Sequence, residues 1–139
     1  MKTLLIAIAL TITSQSFLSA KEEIQSIHKN HNLMQTDSVL RHVVLLKFKE
    51  GATGDNIKEV EAAFTALPSK ISEIQGYEWG LNNSPEGLDK GFTHCFFLTF
   101  KSEADRATYL PHPDHKAFGA VLTPYLEDVL VIDYWTPSE

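Results

Sequence analysis

A single cysteine, Cys95, stands among the 139 residues. No intramolecular disulfide can form, and cysteine-built zinc ribbons and Cys-x-x-Cys redox chemistry are excluded. Cations are also scarce: twelve Lys and Arg against eighteen Asp and Glu give a net charge of −6, which leaves no basic surface for the phosphate neutralisation that nucleic-acid binding rests on. The sequence shows no internal repeat and no low-complexity tract. Its longest apolar run, Leu4–Ile12, covers about half of the roughly twenty residues a transmembrane helix needs, so no permanent membrane span is expected. What remains is an acidic chain, 43% hydrophobic and 22% charged, with length for one domain at about 100 to 200 residues each.

The first twenty residues differ from the rest. Met1 and Lys2 make a short positive start, Leu4–Ile12 are almost wholly apolar, and Thr13–Ser16 turn polar, which is the order of a secretory signal peptide. Ala20 supplies the small residue at the expected cut, although Leu18 sits where a second small residue is preferred. Residues 1–20 are therefore read as a signal peptide and the protein as exported, periplasmic or secreted. Loss of Lys2 would leave eleven cationic against eighteen acidic side chains, a net charge of −7. Residues 21–38 are polar without a sustained period and read as a tether, whose few apolar residues could pin at most one helical turn. His28 and His31 have spacing for a metal clip, but with no third ligand beside them they read as a solvated pair.

The domain then spans residues 39–136. Leu40–Phe48 is β-branched and apolar and ends at Glu50-Gly51, which predicts a strand. Ile57, Val60, Ala63, Phe64 and Leu67 fall on one helical face between Thr53 and Pro68. Ile74–Gly80 reads as a short strand, residues 82–87 as a turn, and Phe92–Phe100 as a third strand. Ser102 with Asp105 opens a helix to about Leu110, Pro113 starts another to about Tyr125, and Val129–Trp135 closes with a strand. The order β-α-β-β-α-β, its second helical region split by Pro111 and Pro113, predicts an α+β, ferredoxin-like fold: a four-stranded antiparallel sheet with helices on one face.

Both faces of that sheet are apolar. In strand one His42, Val44, Leu46 and Phe48 oppose Val43 and Leu45, and in strand three His94, Phe96, Leu98 and Phe100 oppose Cys95 and Phe97. A free antiparallel face normally carries polar residues, so the face away from the helices needs a cover. A second copy of the same sheet, forming a homodimer, is the expected partner.

The segments RHVVLLKFKEG at 41–51, SPEGLDKGFTH at 84–94, YLPHPDHKAF at 109–118 and DVLVIDYW at 128–135 together resemble a stress-responsive A/B barrel (Dabb) domain over about residues 40–136. The resemblance implies a dimeric α/β barrel of two ferredoxin-like subunits. Family members include plant stress-associated proteins without assigned chemistry and a plant polyketide cyclase that performs an intramolecular aldol closure. Carried over by motif, that cyclase's working tyrosine and histidine fall on Tyr109 and His115, and the histidines of its first and third strands on His42 and His94. A tyrosine of its first helix falls on Phe64, so a polar pocket group is missing here.

The residues themselves leave alternatives. His42 and His94 share a face and could meet across neighbouring strands, either as a buried structural pair or as pocket lining. Pro113 at the first helical position puts His115 in the first turn, where the helix dipole disfavours imidazolium. A neutral ring there can accept a proton, with Tyr109 orienting it or holding an enolate-like oxygen. His112, Pro113 and His115 serve as readily to organise the helix break. His112 counts with His42 and His94 as ligand-binding, Tyr109 and His115 as catalytic. No metal site is assigned, because no carboxylate is placed to complete one, and no cofactor is implied. Cys95 reads as a buried, inert thiol, Asp133 as an edge or cap residue, and Tyr134 and Trp135 as packing. The sequence thus supports a homodimeric module for a small hydrophobic ligand or, alternatively, a lyase or cyclase acting on a hydrophobic carbonyl compound.

Overall fold

In a computed structural model that describes residues 20–26 and 38–138, residues 20–26 form a short helix, α1, nearly two turns where the sequence pattern allows one. Residues 1–19 and 27–37, with His28 and His31 and most of the expected leader and tether, lie outside the described residues. Among the described residues no helix is long and apolar enough to cross a membrane.

The second unit, Ser38–Glu139, is built on strand β1, Ser38–Phe48, whose residues alternate between buried and partly exposed. Helix α2, Gly54–Thr65, begins at a reciprocal cap: the Thr53 hydroxyl accepts from the Asn56 N–H, and the Asn56 side chain accepts from the Thr53 N–H. Such a cap satisfies two otherwise orphaned donors and contributes about 1 kcal/mol. A short 3₁₀ turn, Leu67–Ser69, follows at Pro68. Strand β2 is Gly76–Leu81, two residues later than the sequence suggests at its start. Ile74 is instead in a turn closed by its own N–H on the Ile71 carbonyl, with its side chain buried in the core. Strand β3 is His94–Phe100.

The split second helical region consists of α3, Glu103–Tyr109, capped by Ser102 on the Asp105 N–H, and α4, Pro113–Leu122, with Pro113 in its first turn. The sequence extends α4 to Tyr125, but the chain turns at Thr123. Thr123 still donates to the Gly119 carbonyl, but Pro124 has no N–H with which to continue the ladder. Strand β4, Leu126–Pro137, is longer than expected and pairs with β1 along nearly its whole length.

All pairings are antiparallel and the strand order is β2-β3-β1-β4, the ferredoxin-like arrangement. Leu40, Val44, Leu46, Phe96, Leu98 and Phe100 face α2, α3 and α4 and form the core with Val60, Phe64, Tyr109, Phe118 and Leu122. Phe64 stacks on Phe96 at 4.1 Å between ring centroids and meets Phe118 at 4.5 Å. Burying each such ring contributes about 1.5–3 kcal/mol.

The other face, bearing Val43, Leu45, Phe97, Leu130, Ile132 and Tyr134, has no helix over it. It carries a concavity of about 520 Å³. Cys95 lies there half-buried rather than sealed inside. Burial, with Glu78 nearby, pushes its thiol pKa up and keeps it protonated, hence a poor nucleophile.

Candidate functional site

The register of β1 and β3 separates the two strand histidines. His42 pairs with Leu98, whereas His94 pairs with Leu46, four residues along β1. Both face the helices and are buried, 5% and 6% exposed, but they do not meet. The expectation of a histidine pair shared face and parity correctly and missed the register.

His94 is held at both nitrogens. Its Nε2 lies 3.0 Å from Glu61 Oε1 on α2 and its Nδ1 2.8 Å from the Thr93 hydroxyl. A carboxylate can only accept, so Nε2 carries a proton, and the Thr93 hydroxyl donates to Nδ1 in the neutral ring. Phe48 and Trp79 pack on the ring at 5.0 and 6.2 Å. With both nitrogens occupied, His94 ties α2 to the sheet and has no nitrogen left for a ligand.

His112 caps α4, its Nδ1 accepting the Asp114 N–H at 3.2 Å, with the Asp114 carboxylate 3.5 Å away. This is the helix-break role weighed for it. Its capping bond holds the first turn of α4, which carries His115.

Tyr109, His115 and His42 do come together. Tyr109, the last residue of α3, is 1% exposed and lies between the two imidazoles, 4.3 Å from the His115 ring and 5.8 Å from the His42 ring, measured between centroids. Burial holds its phenol pKa far above the ordinary value of 10.0, so the phenol is a proton donor, not a phenolate, at neutral pH. No polar side-chain atom that is fully buried lacks a hydrogen-bond partner among the described residues. The Tyr109 hydroxyl has no partner there, so it keeps a little accessible surface.

His115 donates from Nδ1 to the Leu110 carbonyl at 2.9 Å. His42 donates from Nδ1 to Asp133 Oδ1 at 2.7 Å. Carbonyl and carboxylate oxygens have no proton to give, so each ring carries a proton on Nδ1, and the neutral form of each exposes Nε2 as its acceptor. One phenol ring thus packs against two imidazoles whose Nε2 atoms have no partner among the described residues. Such a set can hold a carbonyl oxygen and accept a proton from a neighbouring carbon or hydroxyl.

Two residues outside the sequence-derived set complete the cluster. Asp133, read as an edge or cap residue, sits directly across from His42 in the β1–β4 ladder and also accepts from Arg106 Nη1 of α3 at 3.0 Å. The signals were present: Asp133 interrupts the apolar alternation Val129, Val131, Trp135, and Arg106 lies three residues before Tyr109 on the same helical face. The core beyond Tyr109 is filled by Phe118, Phe64 and Phe96, and the concavity of about 520 Å³ lies on the opposite side of the sheet. No group of three or more metal-binding side chains occurs among the described residues.

Residues 40–136 match the model of the stress responsive A/B barrel domain. The chain is 37% identical over 95 residues to a stress-response A/B barrel domain-containing protein of Arabidopsis thaliana, covering 68% of this chain and 87% of that protein. It is 30% identical over 100 residues to olivetolic acid cyclase of Cannabis sativa, 72% of this chain and 98% of that one. Among solved structures, hydroxynitrile lyase from Passiflora edulis superposes with a TM-score of 0.67 at 26% identity over 73% of this chain and 95% of that one. A dimeric protein of unknown function with a ferredoxin-like fold from Bacteroides fragilis does so with a TM-score of 0.58 at 30% identity, covering 69% and 94%. The chain belongs to the stress responsive A/B barrel domain family.

Proposed function

We propose that this protein is an exported homodimer that binds a small, largely apolar carbonyl compound at Tyr109, with His115 and His42 on either side. The observation that carries this reading is the Tyr109 hydroxyl, a proton donor beside two imidazoles that keeps a little accessible surface and has no protein partner among the described residues. A ligand oxygen that reaches the accessible edge of this hydroxyl can accept its hydrogen bond, and the surrounding aromatic rings suit an apolar ligand body. Dimerisation is supported by the uncovered apolar sheet face and by dimeric relatives such as the Bacteroides fragilis protein. Export rests on the charge and polarity order of residues 1–20.

A second reading, turnover of the bound compound by a lyase or cyclase reaction, is favoured by the two imidazoles that keep Nε2 as an acceptor. Two relatives carry the names of a cyclase and a lyase. Native mass spectrometry of protein purified from its own host tests the first reading: a dimer mass with a retained small molecule is expected. Titration with acetophenone adds the site. Affinity should fall in Tyr109→Phe, and equal binding by the parent and this variant would remove Tyr109 from the site. Loss of rate with retained affinity in His115→Ala separates turnover from binding.

A further inference from the structure

We infer that Asp133 and Arg106 are positioning residues that fix the tautomer of His42, and with it the acceptor atom that the site presents. The inference rests on the reading of Tyr109, His115 and His42 as one site, and it concerns what prepares that site before a ligand arrives.

The Asp133 carboxylate has one oxygen on each neighbour. Oδ1 takes the Nδ1–H of His42 at 2.7 Å, and Oδ2 takes Arg106 Nη1 at 3.0 Å. Three elements are thereby joined through one side chain: β1 supplies the imidazole, edge strand β4 the carboxylate, and α3 the guanidinium. Arg106 has donors only and no acceptor, so the carboxylate must turn an oxygen toward it. Only the second oxygen remains for His42. The imidazole meets it with N–H, which leaves Nε2, on the opposite side of the ring, as the lone-pair nitrogen.

Asp133 lies on a strand that is half-exposed along both faces, and its side chain is 30% exposed. Without Arg106 it could turn to water. Arg106 also approaches Glu103 at 4.0 Å, a longer and weaker contact than the one to Asp133. The helix that carries Tyr109 therefore holds the carboxylate that orients His42, so the donor and one acceptor of the site are set by a single turn of α3.

The arrangement makes an isosteric substitution informative. In Asp133→Asn the carbamoyl group has one oxygen and one NH₂. Arg106 demands the oxygen, and the NH₂ is left facing His42. Nδ1 must then accept, and the proton moves to Nε2. Removing Arg106 as well frees the oxygen to turn back to His42.

The test is long-range proton–nitrogen correlation NMR of histidine side chains in the full, ligand-free protein at about pH 8, with His42→Gln assigning the signals. The parent should show a pyrrole-type Nδ1 and a pyridine-type Nε2 at His42. Asp133→Asn should exchange the two types, and Asp133→Asn with Arg106→Ala should restore the parent pattern. An unchanged pattern in Asp133→Asn overturns the proposal. An exchanged pattern that persists in the double variant overturns the part played by Arg106. Acetophenone titration of the same samples separates this from the site reading. Tautomer exchange with unaltered affinity leaves the positioning role standing and removes His42 from the ligand site.

Discussion

The Tyr109 and His115 rings pack 4.3 Å apart across the break between α3 and α4. Tyr109 ends one helix and His115 lies in the first turn of the next, so the break places a deeply buried phenol against a partly exposed imidazole. His115 anchors only through Nδ1 to the Leu110 carbonyl. His115→Ala therefore loses one hydrogen bond of about 1 kcal/mol and the ring contacts of a half-buried side chain with Tyr109 and Phe118. A melting-temperature decrease of roughly 4–8 °C is expected for a domain of this size, together with weaker binding or turnover of an aryl ketone. Unfolding of the domain, or unchanged behaviour toward every ligand found, would make His115 a purely structural residue.

Tyr109 itself separates packing from chemistry. Tyr109→Phe keeps the ring against His42 and Phe100 and removes a hydroxyl without a partner among the described residues, so stability should stay close to the parent value. Tyr109→Ala leaves a cavity among Phe100, His42 and His115 and should cost about 3–5 kcal/mol, the range for large aromatic truncations. Urea denaturation of both variants measures the difference, and equal losses would show that the hydroxyl carries structural weight.

Burial of Tyr109 also gives a pH dependence with a definite sign. Its folded pKa is raised well above 10.0 because burial disfavours the phenolate. Below the ordinary tyrosine range both folded and unfolded chains hold the proton, and the contribution to stability is complete. Above it the unfolded chain releases a proton that the folded chain keeps, so stability falls with rising pH, by up to about 1.4 kcal/mol per pH unit for one group. Tyr77, also raised mainly by burial, adds in the same direction. Comparing urea denaturation at about pH 9 and pH 11 should show a smaller alkaline loss in Tyr109→Phe than in the parent.

The fold was legible because its signals are local and periodic. Alternation in β1 and β3, the spacing of Ile57, Val60 and Phe64, and the prolines around His112 each report on a few neighbouring residues, and each predicted the element that forms. The candidate site was legible only where the motif is local: Tyr109, His112 and His115 lie within seven consecutive positions. Separating His42 from His94 required the β1–β3 register, which depends on turn geometry and long-range pairing. Asp133 and Glu61 were missed for the same reason. Each looks like a surface carboxylate in its own segment and becomes a histidine partner only when β4 and α2 are in place.

The open sheet face gives the last prediction. Ile132 is 46% exposed on β4 and points to the helix-free side with Val43, its neighbour in the ladder. In an isolated protomer, Ile132→Lys changes a residue already half in water and should leave the fold intact, within about 0.5 kcal/mol for a surface substitution. In a dimer joined through this face, the same change places an ammonium among Leu45, Phe97, Leu130 and Tyr134, and burying a charge against apolar surface costs several kcal/mol per buried charge. Light scattering at micromolar concentration should therefore report a dimer for the parent and a monomer for Ile132→Lys, with near-identical circular dichroism. A monomeric parent would remove the dimer outright. A dimeric variant with undiminished affinity would place the contact elsewhere on the surface.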